Sequence, residues 1–183
     1  METPAALFDL TGKVAVVTGG SRGIGRAVAE GFAAAGADVV IASRKYDNCV
    51  IAADEIAAAT GRRALPVACH VGRWEDADAL VEAVHAEFGR CDVLVNNAGM
   101  SPLYDGLPSV TEELYDKVHA VNARGPFRLS ALLGSRMAEG DLTARVPDAS
   151  GPASSQDELG QMARAFNRMA DQVESTIVTL RQF

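Results

Sequence analysis

Three glycines, Gly19, Gly23 and Gly25, lie close together in the sequence TGGSRGIG, between an apolar β-branched run and a run of helical character. Glycine is needed where a backbone turns sharply and where a pyrophosphate must approach it without a Cβ in the way. A helix that begins near Gly23 would point its free N–H groups and the positive end of its dipole at that anion. The loop, which also contains Ser21 and Ile24, therefore predicts a site for a dinucleotide pyrophosphate. A tight turn without a ligand is the alternative.

A second group of polar residues follows the next apolar run, at the end of the sequence DVVIASRK. Proteins that bind NAD usually carry an acidic residue here, which holds the ribose 2′-hydroxyl. Ser43 and Arg44 occupy that place instead, and Arg22 stands in the glycine loop. Guanidinium groups hold a phosphate by charge-assisted and often bidentate hydrogen bonds, so these residues favour NADP(H) over NAD(H). The alternative, for either arginine taken alone, is a solvated surface residue.

Strands and helices that alternate over the first two thirds of the chain must position these residues. Continuous apolar runs between longer helical runs indicate βαβ units and a parallel sheet covered on both faces. The strands are predicted in KVAVVTGG, DVVIAS, ALPVACHV and CDVLVNNAG, and the last helix of this part is predicted over residues 111–137, with a capping box of Ser109 and Glu112 at its start. The sequence therefore predicts an α/β fold, a partial Rossmann fold with about four βα units.

The composition excludes several classes of function. The chain has 183 residues, a net charge of −7, 5% aromatic residues and no basic stripe, which argues against nucleic acid and anionic membranes as partners. No apolar run is long enough to span a membrane and no signal peptide is evident, so we expect a cytoplasmic location. Cys49, Cys69 and Cys91 are widely spaced and form no CxxC, which favours reduced thiols and no metal site.

Three motifs in order, TGGSRGIG, NNAG (residues 96–99) and VNARGPF (residues 121–127), resemble the short-chain dehydrogenase/reductase family. The resemblance covers residues 1–137 and implies hydride transfer between a nicotinamide and a carbonyl or an alcohol. It also implies that Asn97, Ala98 and Gly99 stabilise the fourth strand beside the cofactor. By the same resemblance, Asn122 stands where the family has an asparagine that helps to hold a proton-relay water at a break in the long helix.

The end of the third strand differs from the family pattern. The family normally has an aspartate there that contacts adenine, whereas this sequence has His70, followed by Val71. The resemblance makes both residues candidates for the cofactor site. An adenine contact by His70 is one interpretation, and a loop histidine without a ligand is the other.

The catalytic residues of the family are missing from the sequence. The family uses a tyrosine whose pKa is lowered by a lysine four residues later, together with a serine on a fifth strand. None of Tyr46, Tyr104 and Tyr115 has a lysine four positions later, and no fifth strand is predicted. We therefore expect a chain that binds NADP(H) weakly, is truncated before the catalytic residues and is catalytically incomplete. Its apolar fourth strand would be a sheet edge that tends to associate.

A different pattern follows residue 137. Residues 147–156 form a connector rich in Pro, Gly and Ser, and residues 157–181 have apolar residues spaced by three and four, as in the a/d seam of a coiled coil. The seam consists of Leu159, Met162, Phe166, Met169, Val173, Thr176 and Leu180. It predicts a partner helix, in this chain or another, and a helix on the surface of a globular domain is the alternative.

Residues from about 137 to 183 resemble the second half of a HAMP domain, the dimeric signalling linker of bacterial receptors and sensor kinases. The resemblance rests on Gly140, Asp141, Leu142, Pro147, Asp157, Glu158, Leu159 and Gly160. It implies parallel helices packed in a dimer. Pro126 fits the proline that opens the first HAMP helix, and the core positions would then be Phe127, Ser130, Gly134 and Met137. This seam is poor in apolar side chains, so we interpret the proline as a coincidence.

The chain as a whole thus divides into a predicted NADP-binding half-domain, residues 1–137, and a HAMP-like connector and helix, residues 138–183. Three functions stay open: a catalytically incomplete reductase half, a dimerisation or signal-relay module, and a recombinant or artefactual fusion without a joint function. We expect a homo-oligomer that associates through the 157–181 helix, the 111–137 helix or both.

Overall fold

The computed structural model describes residues 8–140, with the side chains of residues 8–137. The strands are β1 (Val14–Thr18), β2 (Asp38–Ser43), β3 (Ala64–Ala68) and β4 (Val93–Val95). The helices are α1 (Gly23–Ala34), α2 (Tyr46–Thr60), α3 (Trp74–Phe88), α4 (Glu112–His119) and α5 (Gly125–Gly140). Among these described helices, none combines the length and the apolar character that a membrane span requires.

The four strands form one parallel sheet in the order β3-β2-β1-β4, with helices on both faces. This architecture confirms the predicted partial Rossmann fold. The connector and the predicted 157–181 helix lie outside the described residues, so the coiled-coil part of the prediction and the boundary at residue 137 stay predictions.

The sheet is buried on both faces because successive side chains of each strand point to opposite sides. Val14 and Val16 of β1 pack in one layer with α3 and α5, whereas Ala15 and Val17 pack in the other layer with α1 and α2. The strands therefore read as continuous apolar runs rather than alternating ones. β1 and β2 are in register from their first residues to Thr18, so the two strands end side by side.

β4 is an edge strand of the described sheet. It pairs with β1 from Ala15↔Val93 to Val17↔Val95, and no strand of the described residues lies on its other side. Its three side chains are only half-buried. The edge therefore presents unpaired backbone groups beside apolar side chains, as the sequence predicted.

The long helix predicted over residues 111–137 consists of three consecutive segments, in which a π-helical turn (Ala120–Arg124) joins α4 to α5. Thr111 is the N-cap of α4, and its Oγ1 accepts a hydrogen bond from the Leu114 N–H at 3.1 Å. The predicted capping box of Ser109 and Glu112 is wrong. The hydroxyl at the N-cap position belongs to Thr111, and the Ser109 hydroxyl donates to a carbonyl of its own 3₁₀ turn instead.

α5 packs through the face that a Rossmann helix needs. Leu129 and Leu133 are fully buried in the layer that α5 shares with α3, whereas Phe127 is 67% exposed and Ser130 is also exposed. The first residues of the HAMP-like seam thus lie on the solvent side of the helix. This supports the interpretation that Pro126 fits the HAMP pattern by coincidence.

Arg128 fastens α5 to α3. Its Nε and Nη2 donate to the Asp78 carboxylate at 2.8 and 2.9 Å, and its Cζ lies 4.6 Å from the centre of the Trp74 ring. The hydrogen bonds from Arg128 hold the pKa of Asp78 below its ordinary value. A bidentate ion pair combined with a cation–π contact fixes the position of α5 more narrowly than a single surface ion pair would.

Truncation of one buried side chain tests which face of α5 packs on the sheet. We expect Leu133→Ala to lower the free energy of unfolding by about 2–5 kcal/mol, because a buried leucine is replaced by a cavity. Phe127→Ala, on the exposed face, is the matched control and should change it by less than about 0.5 kcal/mol. Urea unfolding, followed by the fluorescence of Trp74, the single tryptophan, measures both. Equal losses in the two variants would contradict the assigned packing.

Candidate functional site

A cavity of about 650 Å³ lies where the carboxyl ends of the four strands meet. Its wall is formed by the segments that follow β1, β2, β3 and β4, together with residues of α4 and the π-helical turn. Open α/β folds bind their ligands at this end of the sheet, because the loops that leave neighbouring strands run to opposite faces there and leave a crevice. The cavity is therefore the candidate binding site.

Most of the predicted site residues line this cavity. They are Gly19, Ser21, Arg22, Ser43, Arg44, His70, Val71, Asn97, Ala98 and Gly99. Gly23, Ile24 and Gly25 form the first turn of α1 and are not part of the wall, and Ile24 is 78% exposed. Asn122 lies in the π-helical turn, next to the wall rather than in it.

Other wall residues were missed from the sequence: Lys45, Asn48, Cys69, Lys117 and Val121. Lys45 and Asn48 closely follow Arg44, so their place after the second strand is a signal that could have identified them. Cys69 directly precedes His70 in the same way. Lys117 comes from α4, and no motif in the sequence marks it.

The glycine loop is packed so closely that three of its glycines, Gly19, Gly20 and Gly25, leave no room for a Cβ. Gly19 has a φ of +66°, and a Cβ there would lie 2.8 Å from Asn97 Nδ2. A Cβ on Gly25 would overlap Asn97 Nδ2 and the Gly19 carbonyl, whereas at Gly23 it would meet open space. α1 begins here without a side-chain cap and without an acidic residue in its first turn. Its N-terminal N–H groups are therefore left for an anion.

Thr18 joins the glycine loop to the end of β4. Its Oγ1 donates to the Val95 carbonyl and accepts hydrogen bonds from the N–H groups of Asn97 and Ala98, all at 3.1 Å. Asn97 Nδ2 in turn donates to the Thr18 carbonyl at 2.9 Å. Thr18 is 1% exposed, so these bonds replace all contact of its hydroxyl with water. The two strand ends therefore form one hydrogen-bonded unit beside the cavity.

The cavity wall is positively charged, although the chain has a net charge of −7. Arg22, Arg44, Lys45 and Lys117 belong to the wall, and none of the described residues that form it carries a carboxylate. Six other arginines are paired with carboxylates, whereas Arg22 and Arg44 have no ion-pair partner in the described part of the chain. A concave wall with unpaired guanidinium groups concentrates the field and attracts an anion.

The thiol in the wall is not a nucleophile. Burial raises the pKa of Cys69 to about 12, with a smaller effect of the nearby Asp76 carboxylate. A thiol with this pKa stays protonated at neutral pH and unreactive. Within residues 8–140, no group of three or more His, Cys, Asp and Glu residues is placed to hold a metal ion.

The π-helical turn places Asn122 against the segment that follows β4. Its Oδ1 accepts a hydrogen bond from the Met100 N–H at 2.9 Å, and its Nδ2 donates to the Met100 carbonyl at 2.8 Å. Directly after the turn, the first residue of α5 approaches the segment after β3 so closely that a Cβ on Gly125 would overlap the Val71 carbonyl. Asn122 therefore fixes the segment after β4 relative to the long helix, at the border of the cavity.

Comparison with protein families matches two parts of the chain. Residues 13–145 match the family described as short chain dehydrogenase. Residues 135–175 match the HAMP domain. The two matches overlap at residues 135–145, close to the position at which the sequence pattern changes.

Individual relatives resemble the first part. A short chain dehydrogenase of Monascus ruber, pigC, is 38% identical over 143 residues, which are 75% of this chain and 47% of that protein. The structure of an L-sorbose reductase from Gluconobacter frateurii, complexed with NADPH and L-sorbose, is 38% identical, with a TM-score of 0.69, over 72% of this chain and 51% of that chain. The structure of a 3-ketoacyl-(acyl-carrier-protein) reductase from Brucella melitensis, complexed with NADH, is also 38% identical, with a TM-score of 0.67, over 72% of this chain and 52% of that chain. The chain spans about half the length of the curated relatives it matches.

Removal of the Thr18 hydroxyl tests the hydrogen-bonded unit. We expect Thr18→Val to lower the free energy of unfolding by about 2–3 kcal/mol, because the Ala98 N–H loses its buried acceptor and the Asn97 N–H keeps only the Val95 carbonyl, at almost unchanged side-chain volume. Thr18→Ser keeps the hydroxyl and removes one methyl group, so this control should lower the free energy of unfolding by only about 1 kcal/mol. Urea unfolding monitored by tryptophan fluorescence compares the two. If the serine variant is as unstable as the valine variant, the hydroxyl does not have the role assigned to it.

Proposed function

The chain belongs to the short chain dehydrogenase family through residues 13–145, and from this membership we propose that its Rossmann fold binds NADP(H) by the adenosine 2′-phosphate and pyrophosphate half of the cofactor. The observation that carries the proposal is the cavity wall, which has basic residues and no carboxylate among its described members, in an acidic chain. Such a wall selects a polyanion. The similar reductase structures from Gluconobacter frateurii and Brucella melitensis are complexes with nicotinamide dinucleotides.

The glycine loop is the proposed subsite for the pyrophosphate. The N-terminus of α1, which has no side-chain cap, offers its N–H groups and the positive end of its dipole. Ser21 and Arg22 of the same loop belong to the cavity wall and can donate further hydrogen bonds. Because Thr18 and Asn97 hold the loop in this shape, binding of the anion costs little reorganisation.

Ser43 and Arg44 are the proposed subsite for the 2′-phosphate. Ser43 is the last residue of β2 and Arg44 follows it, at the place where an acidic residue would hold the 2′-hydroxyl of NAD. Arg44 has no carboxylate partner among residues 8–140, and Lys45 of the wall stands next to it. The similar structures include one complex with NADPH and one with NADH, so the preference for NADP(H) rests on Ser43 and Arg44 themselves.

Titration of the full chain with NADPH and with NADH, followed by cofactor fluorescence, tests the proposal. We expect NADPH to bind about 10-fold more tightly or better, because charge-assisted hydrogen bonds to the 2′-phosphate contribute about 1.5–3 kcal/mol. Arg44→Ala should remove most of this preference, because it weakens the binding of NADPH and leaves the affinity for NADH almost unchanged.

Arg73→Ala is the matched control for this titration. It removes the same charge from an exposed arginine outside the cavity wall, so both affinities should stay within about 2-fold of the wild type. A failure of both cofactors to bind at millimolar concentration would overturn the proposed function.

The second part of the proposal is that the chain is catalytically incomplete. Carbonyl reduction needs a positioned acid/base group with a pKa near the working pH, and no tyrosine of the sequence has a lysine four residues later. The side-chain Oδ1 and Nδ2 of Asn122 both form hydrogen bonds with the backbone of Met100 in this structure. Beyond residue 145 the sequence matches the HAMP domain and no longer the dehydrogenase family.

Incubation with NADPH and L-sorbose, the ligand of the similar reductase, tests this second part. We expect no NADPH oxidation above the rate in buffer, even at concentrations at which the cofactor binds, because the sequence has no tyrosine with a lysine four residues later to protonate the carbonyl oxygen. NADPH absorbance follows the reaction. A rate that rises with protein concentration and disappears in Tyr104→Phe or Tyr115→Phe would contradict the proposed incompleteness.

The HAMP match of residues 135–175 favours a second candidate function, dimerisation and signal relay. Beyond residue 140 these residues lie outside the described chain, so this candidate rests on the a/d seam of residues 157–181. The outer face of α5, with its exposed Phe127, offers a second surface for association within residues 111–137.

Analytical ultracentrifugation tests the second candidate. We expect Phe166→Asp and Val173→Asp to convert an oligomer into a monomer, because a charge at an a or d position opposes burial against a partner helix. Asn167→Asp introduces the same side chain outside the seam and should leave the sedimentation coefficient unchanged. If all three variants sediment like the wild type, the seam is not an interface.

We also propose a cytoplasmic location. Cys49, Cys69 and Cys91 are buried free thiols in the structure. Cysteines that stay unpaired are typical of a reducing compartment. The three thiols therefore support a cytoplasmic chain rather than an exported one.

A further inference from the structure

The imidazole of His70, at the end of β3, is held in one orientation by its own loop. The backbone N–H of His70 donates to Asp76 Oδ2 at 2.8 Å, which ties the loop to the first turn of α3. The Gly72 N–H donates to His70 Nδ1 at 3.2 Å. A Cβ on Gly72 would lie 3.1 Å from His70 Cε1, so the loop and the ring are already in close contact. The imidazole ring of His70, held in this orientation, lines the cavity.

The hydrogen bond from Gly72 decides which imidazole nitrogen carries the proton. A backbone N–H can only donate, so Nδ1 of His70 must offer its lone pair. In a neutral imidazole with an unprotonated Nδ1, the proton is on Nε2. Nε2 has no hydrogen-bond partner among the described residues. His70 therefore offers a donor, and no acceptor, to a ligand in the cavity.

The place of His70 in the sheet corresponds to the base of a bound dinucleotide. In a Rossmann fold the pyrophosphate lies at the loop after the first strand, and the ribose 2′ position lies at the end of the second strand. The sheet continues in the same direction from β1 through β2 to β3. The base, which is attached to that ribose, comes next to the end of β3. The wall there contains His70, with Lys117 of α4 as another donor in the same cavity.

We propose that His70 recognises the base as a hydrogen-bond donor, so that the site reads an acceptor on the base edge and does not require the 6-amino group of adenine. This inference rests on the proposed function, the binding of NADP(H). A carboxylate at the same position would require the amino group, since it can only accept a hydrogen bond and repels an acceptor on the base. The Nε2–H of His70 can serve a ring nitrogen of adenine, and equally a base whose amino group is blocked.

The dinucleotide 1,N6-etheno-NADP+ is the probe, because its fused ring removes both amino hydrogens and leaves an acceptor nitrogen on that edge. Isothermal titration calorimetry gives the Kd of this analogue and of NADP+ for the full wild-type chain and for His70→Asp. We expect the wild type to bind the two within about 5-fold of each other. His70→Asp should raise the ratio of the analogue Kd to the NADP+ Kd by about 10-fold or more, because its carboxylate faces an acceptor. A ratio that is unchanged or lower in His70→Asp overturns the inference.

His70→Asn is a second variant, which preserves the loop. Its side-chain oxygen can replace Nδ1 as acceptor of the Gly72 N–H, but the shorter side chain removes the donor at the place of Nε2. We expect both ligands to weaken by about 3- to 10-fold with little change in their ratio, and unchanged affinities for both would contradict the inference. Far-UV circular dichroism verifies the fold of each variant.

The two proposals fail in different ways. If the wild-type chain binds neither dinucleotide, the proposed function itself is overturned, and the inference about His70 with it. If both dinucleotides bind and His70→Asp leaves their ratio unchanged, NADP(H) binding stands and only the role of His70 is overturned.

Discussion

The buried hydroxyl of Thr18 is the interaction on which the site depends. The ladder between β1 and β4 ends at Val17↔Val95, and beyond it the backbone N–H of Ala98 needs an acceptor, while that of Asn97 is shared between the Val95 carbonyl and Thr18. Thr18 supplies it, and the Asn97 side chain then turns back onto the glycine loop. This explains two glycines of the loop by packing, since a Cβ on either would collide with Asn97, while Gly23 stays open. Contacts within the protein therefore fix the shape of the loop without any ligand.

Charge then distinguishes the cavity from the rest of the surface. Six arginines elsewhere in the described chain are paired with carboxylates, as Arg26 is with Glu30 and Glu55. At the strand ends, Arg22 and Arg44 have no such partner in the described chain, so an acidic protein has a local positive wall. A small polyanion fits this arrangement, whereas nucleic acid would need an extended basic surface. The unpaired charges of Arg22 and Arg44 also favour a 2′-phosphate, as in NADP(H), over a 2′-hydroxyl, as in NAD(H).

The sequence predicted the elements and most of the wall because both follow from local patterns. Apolar runs identify the strands, and the loops after them carry the polar residues, so Arg44 could be assigned from its place after the second strand. Asn97 could be assigned from the NNAG motif of the family that the sequence resembles. Properties set by contacts between distant segments could not be predicted. The place of Lys117 in the wall depends on how α4 crosses the sheet ends. The donor character of His70 depends on a backbone N–H at Gly72 that no side-chain pattern reveals.

The dehydrogenase match and the HAMP match overlap in α5, and the packing of α5 shows to which of the two folds this helix belongs. Leu129 and Leu133 face the sheet, so the helix belongs to the Rossmann fold, although the HAMP match already begins at residue 135. In the proposed function, the chain holds the adenosine 2′-phosphate half of NADP(H) and little of the nicotinamide half. Calorimetric comparison of NADP+ with 2′-phospho-ADP-ribose, which lacks only the nicotinamide, tests it most directly. We expect the two Kd values to agree within about 5-fold. A Kd for NADP+ that is lower by about 100-fold or more, or no binding of 2′-phospho-ADP-ribose, would contradict the claim.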